Sequence, residues 1–314
     1  MVSRQPRALI VEQGANPTSD FFVRPWLDAN GEEITTLRLD DSPPLLDESL
    51  PTVIFVRYIT PAWRQWVEKN RQKMSRLVLF MDDDLFDLRP HTGLPIRYRW
   101  KLYRLAWRHQ AWLKKMGAEL WVSTPWLAEK YVSWQPTVLQ PQSPYSGVGS
   151  GLSAQKTLFY HGSASHSQEL EWLYPMVEQV LNQDHTLSFE LIGNSKVRNR
   201  FTALPRVHVL YPMEWPAYQA LLSRPGRTIG LAPLLENRFN AARAHTKFFD
   251  ITQAGAVGIY ADHPVYRSII RHQHNGVLLP MDQQAWADEI LRLSNDEQSR
   301  KKMLENAKHQ VFPL

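Results

Sequence analysis

A lysine and an aspartate stand three residues apart in the stretch AHTKFFDITQAGAVGIYAD, residues 244–262. The pattern around them predicts a helix that begins near Thr246, a good capping type, and stops before Gly255. A buried strand follows. Backbone N–H groups left open at such a helix start attract phosphate. Lys247 would add a compact positive charge there, and Arg243, one turn earlier, a two-pronged donor. Arg238 lies further upstream in the same polar loop, LENRFNAARAH. Asp250 shares a helix face with Lys247 and could accept two hydroxyls, as from a ribose. Together these residue types suit a nucleoside diphosphate. The same pair is also what an ordinary solvent-facing helix carries, worth a few tenths of a kcal/mol.

Other clusters could do chemistry as well. FMDDDLFD sets Asp82, Asp83 and Asp84 where a buried strand ends. Three adjacent carboxylates repel one another and need cations, donors or solvent. They could hold Mg²⁺ or Mn²⁺ against a diphosphate, bind or deprotonate an acceptor hydroxyl, or cap the next turn. His161 follows the strand of KTLFYHG, with His166 five residues later. A strand-end histidine could donate to a phosphate or a sugar hydroxyl, or be a satisfied structural residue. RYRWKLYRLAWRHQAWLKKMG, residues 97–117, predicts one long helix. Lys101, Arg104, Arg108 and Lys115 fall on one stripe of it, flanked by Trp100, Tyr103, Trp107 and Ala111. That suits an acidic lipid surface, or equally a domain helix whose basic residues snorkel past a buried aliphatic face.

These groups need a scaffold, and the apolar pattern supplies one. RALIVEQG, TVIFVRYI, RLVLFMDDD and AELWVST read as buried strands, with helical patterns such as PAWRQWVEKNRQKM between them. After LQPQSPYSGVGSGLSAQ, residues 139–155, a linker by its Pro, Ser and Gly content, the alternation resumes. KTLFYHG, LSFELIGN, RVHVLYP, TIGLAPL and HNGVLLP are its strands, and QQAWADEILRLSNDEQSRKKMLENAKH its last helix. Strands alternating with helices predict parallel sheets covered on both faces, which bind ligands beyond the carboxyl ends of their strands. Residues 1–145 and 146–314 form the two predicted domains, the last helix being able to pack back on the first.

The second half resembles the donor-binding segment of group 1 glycosyltransferases. LAPL at 231–234, Glu236 and Phe239, Lys247-Phe-Phe-Asp250, Gly255-Ala-Val-Gly and Asn275-Gly276 follow that family's order, and FELIGN and FYHGSASHSQELEWL match the openings of the same domain. The resemblance implies an α/β fold of two Rossmann-like domains facing across a cleft, the GT-B architecture. It further implies a nucleotide-diphosphate sugar as donor, a retaining mechanism and no essential metal. By it Lys247, helped by Arg243 or Arg238, neutralises the leaving diphosphate, and Asp250 holds the ribose. Thr246, Gly193 and Asn194 join the donor site, while Asp83 and His161 stand as catalytic candidates. The sequence departs from the family at three points. The ribose acid is Asp instead of Glu, its partner glutamate falls on Ala242, and the usual Arg and Lys after the first strand are missing.

Composition narrows the field. The chain has 314 residues, 43% hydrophobic and 21% charged, with no cysteine and a net charge of +5. That fits a two-domain folded protein without disulfides or thiolate chemistry, inclined toward anionic partners. No apolar run approaches a membrane span, and the first residues lack a signal peptide's apolar core. A cytoplasmic protein is expected, peripheral on the inner membrane face if residues 97–115 dock there. No P-loop, G-x-S-x-G or G-x-G-x-x-G motif supports kinase, hydrolase or dinucleotide chemistry, and no nucleic-acid motif accompanies the basic stripe. The sequence therefore predicts a glycosyltransferase of bacterial surface polysaccharide synthesis, needing no cofactor beyond its sugar donor and acting on a glycan or lipid-linked saccharide. Two alternatives remain: a metal-dependent enzyme centred on Asp82–Asp84, and a non-catalytic binding subunit.

Overall fold

A computed structural model describes residues 7–46, 50–87, 89, 96–147, 156–162, 167–237 and 240–312. The chain divides into two units: Met1–Pro144 with Asn237–Ala244, and Tyr145–Glu236 with His245–Leu314. Residues 237–244, read from the sequence as part of the C-terminal domain, thus cluster with unit 1.

Unit 1 is built on six parallel strands: β1 (Arg7–Glu12), β2 (Glu33–Arg38), β3 (Leu50–Val56), β4 (Met74–Met81), β5 (Glu119–Val122) and β6 (Thr137–Val138). Their spatial order is β2-β1-β3-β4-β5-β6. Central strands are apolar on both faces because helices cover both; Ala8 to Val11 and Val53 to Phe55 are all at most 2% exposed. β2 was not foreseen. EITTLR is an edge strand, largely exposed, so it has no apolar run to betray it. The helix Pro61–Asn70 is capped by the Thr60 hydroxyl and buries Trp63, Trp66 and Val67.

The single helix expected over 97–117 does not form. Ile96–Leu105 and Gln110–Lys115 are separate helices, joined by a 3-10 turn at Trp107–His109. The turn carries the His109 ring inward, 1% exposed and 3.2 Å from the Arg104 carbonyl. A stripe drawn at 100° per residue across Ala106 is therefore broken.

Unit 2 carries β7 (Lys156–Tyr160), β8 (Leu187–Ile192), β9 (Val207–Leu210), β10 (Ile229–Ala232), β11 (Val257–Ala261) and β12 (Val277–Leu279), all parallel. Their order is β12-β11-β10-β7-β8-β9. The order reverses between β7 and β10, which makes their carboxyl ends the switch point at which open α/β sheets bind ligands. The C-terminal helix of the sequence reading is two helices, Gln283–Asn295 and Glu297–Val311. Asp296 leaves the helical path, and its carboxylate accepts from the Ser299 amide at 3.0 Å to start the second.

The helix Thr246–Gln253 stops where Gly255 turns left-handed, φ 71°. Thr246 is its first helical residue, not its cap; His245 precedes it and makes no side-chain cap bond. Phe248, Phe249 and Ile251 bury the inner face, 0%, 5% and 3% exposed. Their approach to β10 depends on Gly230, where an added Cβ would stand 2.6 Å from Cγ1 of Ile251. Gly230→Ala is therefore expected to lower stability by about 2 kcal/mol through overpacking. Gly230→Ala/Ile251→Ala should recover part of it; urea denaturation showing no loss in the single variant would disprove the close fit.

Candidate functional site

The switch point of unit 2 gathers the residues singled out from the sequence. Lys247, on the first turn of the helix 246–253, donates from Nζ to the backbone carbonyl of His161, just past β7. Its ammonium also lies 4.9 Å from the centroid of the Tyr160 ring. The helix thus holds a lysine charge at β7's carboxyl end. One turn on, the Asp250 carboxylate accepts from the Tyr145 hydroxyl at 2.7 Å and from Tyr218. Burial pushes its carboxyl up to about 6; the two tyrosine hydrogen bonds and the charge of Lys247 offset that only in part.

His161 contributes its backbone to this cluster more than its ring. The imidazole is 8% exposed overall and lies 3.0 Å from Glu190 Oε1, which also accepts from Arg227 Nε at 2.7 Å. Burial lowers the pKa of His161 even against the neighbouring carboxylate, so the ring is neutral. Glu190 is held below its ordinary range; burial would raise it, but His161 and Arg227 prevail. With Glu190 ionised, Nε2 carries the proton, and Nδ1 is buried with no hydrogen-bond partner among the described residues. Gly193 and Asn194 also serve the fold. The Asn194 side chain caps the helix Ser195–Phe201 through the Val197 amide at 3.2 Å, and a Cβ on Gly193 would stand 2.5 Å from Val197 Cγ1.

In unit 1 the three aspartates part company. Asp82 accepts from Thr18 at 2.7 Å and faces Arg57 at 3.3 Å. Asp83, 4% exposed, pairs with Arg57 at 2.7 Å and with Arg243 at 3.1 Å. Asp84 takes Lys130 and the Tyr131 hydroxyl. Burial raises Asp82 above the ordinary carboxylate range; Arg57 opposes and Asp83 reinforces the shift. Arg57 reaches both carboxylates from a left-handed residue after β3, φ 70°, a conformation that costs a non-glycine residue about 1 kcal/mol. Among the described residues no group of three or more His, Asp or Glu side chains is gathered to hold a metal ion.

The structure thus brings Lys247, Asp250, Thr246 and the His161 backbone into unit 2's switch point, while Arg243 pairs with Asp83 in unit 1. Arg238, Phe239 and His166 lie outside the described residues. Ala242, where the family pattern has a glutamate, is 1% exposed within unit 1's apolar core. Sequence reasoning missed Tyr145, read as linker, along with Tyr218, Glu190, Arg227 and Arg57. The signal for Arg57 was a charged residue closing an otherwise apolar strand.

Two six-stranded parallel sheets, each flanked by helices, define the class: the chain has the GT-B fold. Among solved structures of that fold, a glycosyltransferase of Rickettsia africae superposes with a TM-score of 0.61 over 98% of this chain and 93% of its own, at 10% identity. Anabaena HepE, in complex with UDP and glucose, matches with a TM-score of 0.57 over 97% of this chain and 94% of its own, at 11% identity. S. aureus TarM matches at 0.57 and 12% identity, over 82% of this chain and 51% of its own. This chain therefore spans about half the length of TarM. No protein-family model and no curated protein matches the sequence. At these identities what is shared is the fold.

The Asp250 carboxyl gives a pH test of this geometry. A folded pKa near 6 against an ordinary 3.8 means that the folded chain holds the proton more tightly. Stability is therefore lost as pH rises from about 4 to about 6, by roughly 3 kcal/mol at most. Asp250→Asn, which cannot ionise, should be more stable than the parent chain at pH 8 and equal to it at pH 4. Parallel melting curves across that range would show instead that the carboxylate is well solvated.

Proposed function

We propose that this chain is a glycosyltransferase moving a sugar from a nucleotide-diphosphate sugar to a glycan or a lipid-linked saccharide. The observation that carries the reading is Lys247 at the carboxyl end of β7 with Asp250 one turn on, at the switch point of a GT-B unit. The fold neighbours support it. One is a glycosyltransferase by name, and HepE was solved with UDP and glucose. In this reading the Lys247 ammonium exchanges the His161 carbonyl for the diphosphate and stabilises the charge that develops as the glycosidic bond breaks. Asp250 exchanges tyrosine hydroxyls for ribose hydroxyls. The amides at the start of the helix 246–253 add donors. His161, neutral and held by Glu190, keeps its carbonyl in line with Lys247 and acts as a positioning residue. Asp83, committed to two arginines, orders the strand ends of unit 1, the unit we assign to the acceptor. Retention at the anomeric carbon, independence of metal, a role in bacterial surface polysaccharide synthesis and work at the inner membrane face complete the proposal.

A second reading is a non-catalytic sugar-nucleotide-binding subunit. The tyrosine hydroxyls on Asp250 and the alanine at 242 favour it.

Thermal shift with UDP, GDP, CDP, ADP and dTDP, with and without Mg²⁺, separates the two. One nucleotide is expected to raise the melting temperature without metal, and its affinity should fall about tenfold per pH unit below about 6 as Asp250 takes up its proton. Lys247→Ala should lower transfer at least about a hundredfold while costing under about 1 kcal/mol of stability. Nucleotide binding without transfer or donor hydrolysis would favour the subunit; no binding at all would sink both readings.

A further inference from the structure

The helix Ile96–Leu105 and the turn after it carry an apolar edge that stays exposed among the described residues. Leu102 and Leu105 face inward at 0% and 7% exposure, whereas Ile96, Trp100, Tyr103 and Trp107 point outward at 79%, 63%, 37% and 42%. Ile96, Trp100 and Tyr103 follow one another at helical spacing along one face, and Trp107 joins them from the turn beyond Ala106. Their rings form a ladder: Trp100 stacks on Tyr103 at 5.5 Å and 22°, and Tyr103 on Trp107 at 5.3 Å and 24°. Around the ladder the charge has one sign. From Leu88 to Ala118 there is no aspartate or glutamate, and eight residues are Arg or Lys. Arg97, Arg104, Arg108, Lys114 and Lys115 are exposed. Lys101, assigned to the stripe from sequence, has turned inward. Its Nζ donates to Gln13 Oε1 at 2.7 Å and lies 4.5 Å from the Tyr58 ring centroid.

From this we infer that residues 96–108 insert into the headgroup region of an anionic phospholipid surface, ring edges down, with Arg97, Arg104 and Arg108 on lipid phosphates. The ring arrangement favours lipid over the alternatives. Sugars and nucleobases bind aromatic faces, and here Tyr103 stacks with both Trp100 and Trp107, which turns ring edges outward along the row and leaves an open face only at its two ends. The perimeter that remains is apolar with a polar tip, as the bilayer interface requires. Charge argues against a second copy, because a self-complementary contact would set basic flank against basic flank. A row of exposed arginines beside an apolar edge matches acidic headgroups on both counts. No helix among the described residues is long and apolar enough to cross a membrane, so the contact is interfacial. It stands on its own observations, whether or not the chain transfers sugar.

Co-sedimentation with phosphatidylcholine vesicles, plain or containing one third phosphatidylglycerol, tests it. The full chain should bind the anionic vesicles and not the neutral ones. Arg104→Glu/Arg108→Glu should weaken binding by about fivefold or more per arginine at low salt. Trp100→Ala/Tyr103→Ala/Trp107→Ala should weaken it by about tenfold or more at unchanged charge. Circular dichroism should match the parent in both variants, since every changed residue is exposed. Failure of the full chain to bind, or equal binding by the aromatic variant, would overturn the insertion. So would a smaller native mass for that variant, which would reveal self-association, or release of bound protein by single-stranded RNA or a soluble glycan.

Discussion

One ammonium group on one backbone carbonyl ties unit 2's switch point together. Lys247 reaches from the helix 246–253 to the residue after β7, so two elements far apart in sequence meet at the switch point. The tie needs the helix to lie close on the sheet. That in turn needs Gly230, the one position in β10 where Ile251 leaves no room for a side chain. The Glu190 pair with His161 and Arg227 anchors the residue after β7, and the neutral ring spares the lysine a competing charge. A preorganised charge costs no rearrangement when a ligand arrives. Packing, hydrogen bonding and electrostatics converge on the same few atoms.

Unit 1 handles its charge differently. Its strand ends concentrate three carboxylates, and the fold answers them with donors, Arg57 being shared by the first two: Thr18 and Arg57, Arg57 and Arg243, Lys130 and Tyr131. Such a network fixes geometry more than it adds stability, because removing charges from water offsets most of the attraction. The left-handed Arg57 shows the same balance at the level of one residue.

The strands of both sheets were legible because strands covered on both faces must be continuously apolar, as VIFV and LVLF are. β2 and β6 escaped because edge strands carry no such run. The helix at 246–253 and its glycine stop were legible from local spacing alone. Its partners were not. Tyr145 lies 105 residues from Asp250 and Arg57 26 residues from Asp83, and no local pattern encodes those meetings. The helix over 97–117 was overdrawn for a related reason. Its periodicity holds on either side of Ala106, where the backbone leaves the helical path at φ −130° and ψ −69°.

The loop at 237–244 bears on synthesis as well as on structure. It seals unit 1 with Ala242, yet it lies a hundred residues beyond Pro144, the end of that unit's first segment. A ribosome adding about 5–20 residues per second reaches it several seconds or more after Pro144 has been made. During that interval the N-terminal half carries an unsealed apolar face, and it closes only when the chain has passed through most of unit 2 and come back. Unit 1 is therefore completed only after residues 145–236 of unit 2 have been made, and a cut at the linker would leave its first segment without residues 237–244.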